Sequence, residues 1–114
     1  MRYNLFATLF NEAREYENFD MFLGERGWQE WMNDYSEESI VPIMRKIFTL
    51  GKKRIADIIK DYKNMCKDSF LGECGIPYRT LQNWALGTRE PAPYVISLIA
   101  YAIFESEETN EKEQ

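Results

Sequence analysis

Residues 75–91 are fenced so tightly that one short helix is almost all they can form. Gly75 and Pro77 stand at one end, Gly87 and Pro91 at the other. Proline at a helix start costs no hydrogen bond, because first-turn N–H groups have no intrahelical acceptor. Glycine just past a helix end supplies the left-handed residue that closes it. The spacing predicts a helix over 77–86, with Leu81 and Trp84 inward and Tyr78, Arg79, Gln82 and Asn83 on the opposite side. The stretch 67–74 has room for one short helix before it, and Gly75 supplies the φ > 0 turn between the two. Ile76, Leu81 and Trp84 are expected to bury and hold the two helices at a steep angle.

Elsewhere the apolar residues recur at helical spacing and no strand pattern is found. Leu5, Phe6, Leu9, Phe10, Ala13 and Tyr16 predict an amphipathic helix over 3–17, broken between Asn18 and Gly27. Trp28, Trp31, Met32 and Tyr35 form one stripe of a short helix. The polar run 33–39 reads as a linker ending in Ser39, an N-cap with Pro42 in the first turn that follows. Ile40, Ile43, Met44, Ile47 and Phe48 face that helix inward, and Gly51 stops it. A further helix over 52–65 turns Ile55, Ile58, Ile59 and Tyr62 inward, with Lys52, Lys53, Arg54, Lys60 and Lys63 as its charged side. A last helix after Pro93 presents Tyr94, Val95, Leu98, Ile99, Ala102 and Ile103. The fold class expected is all-α: a small helical bundle with a helix-turn-helix unit and an N-terminal helical extension. Its divisions are an acidic, aromatic extension over 1–39, the helix-turn-helix domain over 40–104, and an acidic flexible tail over 105–114.

At 114 residues and 45% hydrophobic, the chain carries enough apolar surface for a core. No apolar run is long enough to span a membrane, and Met1–Glu15 lacks a secretory h-region, so a cytoplasmic protein is expected. Histidine is absent, which excludes Ser-His-Asp and Cys-His catalysis and imidazole zinc sites. No phosphate-loop, nucleophile-elbow or zincin motif occurs, so no enzyme, cofactor or metal is expected. Cys66 and Cys74 are two thiols without metal-ligand spacing, expected to be reduced. Asp57 and Asp61 share a helix face and are expected to be solvated.

The net charge of −5 has the wrong sign for a nucleic-acid binder, yet its distribution is uneven. Residues 1–50 sum to −4 and residues 92–114 to −4, while residues 51–91 sum to +3. The positive segment is the one that carries the fenced helix. Arg79, Gln82 and Asn83 provide the donors and acceptors that read base edges.

The run Gly75-Ile76-Pro77-Tyr78-Arg79-Thr80-Leu81-Gln82-Asn83-Trp84, followed by Gly87-x-Arg89-x-Pro91, resembles the repressor/Cro-type helix-turn-helix family of bacterial and phage regulators. The resemblance spans about 42–104 and is most specific over 75–91. It implies a second helix lying in the major groove of double-stranded DNA, with Tyr78, Arg79, Gln82 and Asn83 facing the duplex. Thr80 and Arg89 become phosphate-contact candidates by the same resemblance. Lys67, Leu71 and Ala85 depart from the residues that the family usually has at those places.

Two functions follow as expectations. The first is a sequence-specific transcriptional regulator of phage or mobile-element type, acting as a homodimer. The alternative is an acidic phage-type inhibitor, of anti-CRISPR or anti-restriction kind, that docks on a basic nucleic-acid enzyme. Trp28, Trp31 and Tyr35 are its candidate partner-binding residues, since aromatic side chains are enriched in interface cores.

Overall fold

The computed structural model describes residues 1–24, 27–67 and 75–113, with the side chains of 67 and 109–113 left out of the description. Among them the fold is all-helical: α1 (Tyr3–Glu15), α2 (Phe19–Gly24), a 3-10 turn (Glu30–Asp34), α3 (Glu37–Lys52), α4 (Ile55–Lys67), α5 (Tyr78–Leu86) and α6 (Pro93–Glu113). No described helix is long and apolar enough to cross a membrane. The helices group into two compact units, one of residues 2–52 and one of residues 53–114 together with Met1.

In the N-terminal unit α1 packs on α3. Phe6, Leu9, Phe10 and Ala13 of α1 are buried, as are Ile40, Ile43, Met44, Ile47 and Leu50 of α3. The contact is close at Gly51. It does not stop the helix as expected; α3 continues to Lys52 and Gly51 is buried within it. A Cβ placed there would stand 2.9 Å from the Ala13 Cβ and 3.3 Å from the Phe10 carbonyl oxygen. Glycine is therefore present for close helix approach and not for its backbone freedom.

The start of α3 also differs from expectation. It begins at Glu37, so Pro42 lies in the second turn and Ser39 inside the first, its hydroxyl donating to the Ser36 carbonyl at 2.8 Å. Proline there deprives the Glu38 carbonyl of its donor. Both residues are exposed, which leaves that carbonyl open to solvent. The segment expected to be a break contains α2, whose Phe22 is fully buried. Phe22 and Phe19 meet Phe48 at 5.6 and 5.7 Å between ring centroids, and the Arg45 guanidinium lies 4.1 Å from the Phe19 ring centre. Lys52 is spent within the unit, donating to the Arg14 carbonyl at 3.3 Å.

In the C-terminal unit α4 is the spine, packing against both α5 and α6. Ile58, Ile59 and Cys66 are its buried residues. On α6 the buried stripe is Ile96, Ser97, Ile99, Ala100, Ile103 and Phe104, whereas Tyr94 and Leu98 are exposed. The apolar face is rotated from the one expected, because a run of nearly continuous apolar residues leaves the phase undetermined. Helix α6 continues to Glu113, so residues 105–113 are helical. The Tyr101 hydroxyl donates to the Met1 carbonyl at 2.5 Å, and Glu105 pairs with the Met1 ammonium at 3.3 Å. Burial raises the Tyr101 pKa above its ordinary 10.0, and the neighbouring Glu105 carboxylate adds to the rise.

Cys66 is disulfide-bonded, contrary to the expectation of a reduced thiol. Cys74 is the one other cysteine of the chain. Spacing alone carries no information about this state, since any two cysteines eight apart satisfy it equally.

Candidate nucleic-acid interface

Helix α5 is built as its punctuation dictates. Pro77 is its N-cap, and no side chain caps the first turn. Gly87 closes it at φ 79°, with its N–H donating to the Trp84 carbonyl at 3.3 Å. The N–H groups of Thr88 and Arg89 turn back onto the Asn83 carbonyl at 3.0 and 3.4 Å. These bonds engage the Asn83 and Trp84 carbonyls and fix where the chain leaves the helix. Gly75 adopts φ 71°, the left-handed conformation expected of it.

Leu81, 2% exposed, anchors α5. The other two residues expected to bury do not do so fully: Ile76 and Trp84 are half-buried. The short helix expected over 67–74 lies outside the described residues, except that Lys67 ends α4.

On the far side from Leu81, Tyr78, Arg79, Gln82 and Leu86 are exposed, with Asn83 half-buried beside them. At 100° per residue these five positions fall within one face. The helix thus brings together Tyr78, Arg79, Gln82 and Asn83, four of the six candidates. Thr80 is half-buried on a flank, and Arg89 is exposed in the loop beyond the Gly87 cap. Among the described residues, Arg79, Gln82 and Arg89 make no side-chain hydrogen bond or ion pair. Leu86, 71% exposed, extends the face with an apolar end that the sequence reading had not assigned.

Charge along α4 is sorted by flank. Asp57 accepts from Arg54 at 3.3 Å, and Asp61 pairs with Lys53 at 2.5 Å. The acidic pair is thereby neutralised, and no group of three potential metal ligands comes together among the described residues. Lys60 and Lys63 take part in neither pair. The Lys63 ammonium sits 4.8 Å from the centre of the Tyr78 ring, which joins the basic flank of α4 to the first turn of α5. The sequence assigns both lysines to the charged side of α4 and gives them no further role. The i, i+3, i+7 recurrence of Lys60, Lys63 and Lys67 was the available signal.

The aromatic candidates belong to the N-terminal unit. Trp28 is 57% exposed and lies outside any helix, its indole N–H donating to Asn33 Oδ1 at 2.9 Å. Trp31 and Tyr35 are half-buried and meet edge to face at 5.9 Å, and the Trp31 indole donates to Gln29 Oε1 at 2.6 Å. The buried member of the expected stripe is Met32. The helix begins only at Glu30 and is a 3-10 turn, so Trp28 falls off the stripe. Comparison with protein families, curated sequences and solved structures returned no match to this chain.

Proposed function

We propose that the chain is a sequence-specific DNA-binding regulator that sets α5 in the major groove, acting as a dimer on half-sites roughly one helical turn apart. The observation that carries this reading is the pair Arg79 and Gln82 on one exposed helix face, neither engaged with any described side chain. A free guanidinium suits guanine O6 and N7, and a free carboxamide suits adenine N6 and N7. The resemblance of 75–91 to repressor/Cro-type helix-turn-helix proteins supports the same reading.

The test is selection from a randomised duplex pool at about physiological ionic strength, beside an Arg79→Ala/Gln82→Ala variant. A palindromic motif should be enriched by the parent chain and lost by the variant. Arg79→Ala alone should cost about 1–3 kcal/mol at the selected site. Unchanged affinity in that variant refutes the role of Arg79.

A second reading rests on Trp28, an exposed indole close in sequence to the exposed carboxylates of Glu30 and Asp34. An acidic rim around an aromatic anchor suits a basic partner such as a nucleic-acid enzyme. It requires salt-sensitive retention of a basic nuclease that Trp28→Ala abolishes. A nuclease that passes unretained at low salt counts against it.

A further inference from the structure

We propose that Lys63 is a phosphate contact of the α5 interface and that Tyr78 is its positioning residue, not a reader of bases. The proposal rests on the DNA-binding reading above. Tyr78 is 66% exposed at the first turn of α5, and its ring carries the Lys63 ammonium at 4.8 Å. An aromatic face attracts a cation through its quadrupole but leaves the full unit charge in place. A carboxylate partner would have cancelled it. On this helix the carboxylates are committed elsewhere, Asp57 to Arg54 and Asp61 to Lys53. Lys63 is thus held in one place, beside the base-reading face, with its charge intact. Lysine is a flexible point charge that loses rotamer entropy when it binds. A ring that seats it beforehand removes part of that cost. Lys60, exposed one turn earlier, extends the same positive flank along a duplex backbone.

Phosphate contacts and base contacts leave different signatures. A phosphate contact weakens binding equally on all sequences and lowers the salt slope by about 0.9. At about 0.15 M salt that corresponds to roughly five-fold in affinity. A base contact changes preference at one position and leaves the slope alone.

The experiment measures affinity across a salt series for the selected duplex and for a scrambled duplex of equal length. Lys63→Gln should lose about five-fold on both and lower the slope by about one contact. Tyr78→Ala should lose part of that affinity on both duplexes, and the double variant should be no weaker than Lys63→Gln alone. Tyr78→Phe keeps the ring and should match the parent chain. An unchanged slope in Lys63→Gln overturns the proposal, as does an altered base preference in Tyr78→Phe. A readout free of DNA is the ring-current shift of the Lys63 ε-methylene protons, expected in the parent and absent in Tyr78→Leu. Its absence from the parent overturns the seat itself. A parent chain that binds neither duplex overturns the DNA-binding reading and this proposal with it, while the proton shift still reports on the pair.

Discussion

Replacing Gly51 by alanine sets two physical effects against each other, and the structure decides which wins. Glycine in a helix interior is about 0.8–1.0 kcal/mol worse than alanine, so propensity alone makes Gly51→Ala stabilising. The new methyl would meet the Ala13 Cβ at 2.9 Å and the Phe10 carbonyl oxygen at 3.3 Å. Carbon atoms are at their best near 3.5–4.0 Å. Neither neighbour is the end of a flexible chain, so relief requires α1 and α3 to move apart. Overpacking of this kind costs about 1–3 kcal/mol. The net expectation is a loss of about 0–2 kcal/mol. Urea unfolding with an unchanged m-value measures it as a lower midpoint. Ala13→Gly removes the nearer of the two contacts. The double variant Ala13→Gly/Gly51→Ala should therefore be more stable than the two single losses imply, by at least about 0.5 kcal/mol. The Phe10 oxygen contact remains, so the rescue is partial. A Gly51→Ala chain that is about 1 kcal/mol more stable than the parent refutes the close-approach argument.

Other expectations concern the C-terminal unit. Because the folded chain raises the Tyr101 pKa, the neutral phenol contributes stability in full below the ordinary 10.0, lost as pH rises through the raised value. Near-ultraviolet titration of the seven tyrosines should show one late step that Tyr101→Phe removes, and an unchanged curve rejects it. Reduction should raise the intact mass by two hydrogens, because Cys66 is bonded and Cys74 is the one other cysteine. Loss of a native bridge typically costs about 2–5 kcal/mol, so urea midpoints with and without reductant should separate accordingly. A mass insensitive to reductant refutes the bond.

The elements most legible in the sequence were those whose ends carry their own signals. Helix α5 was readable because Pro77, Gly75 and Gly87 each have one favoured backbone role, and the structure gives them those roles. Arg79 and Gln82 were readable as exposed because Leu81 fixes the phase of so short a helix. Where a residue has two possible roles, sequence alone chose the commoner one. Gly51 was taken as a stop, while its use is contact with a residue 38 positions away. Helix α2 was hidden between polar residues and Gly24, and it forms around Phe22, whose partner Phe48 is also far away in sequence. The face of α6 was misjudged at Tyr94 and Leu98 because both sides of that helix are apolar enough to bury. The polar run before Ile40 lies inside the first compact unit, which extends to Lys52. Polarity marks a linker only when the helix after it packs forward, and α3 packs back onto α1. The Lys63–Tyr78 seat could not be read at all, since it depends on how α4 and α5 lie together.

Leu81 is the one buried side chain of α5. Helix α4 buries several, and α6 more. Cooperative opening starts where the fewest apolar groups must be exposed. Helix α5 is therefore the least protected of the three, and its amides should exchange with solvent well before those of Ile58 and Ile59. A surface that opens and closes in this way binds with its intrinsic affinity only for the fraction of time it is formed. Substitutions that touch no ligand but steady α5 on the solvent side of its last turn would then tighten the proposed DNA binding by raising that fraction.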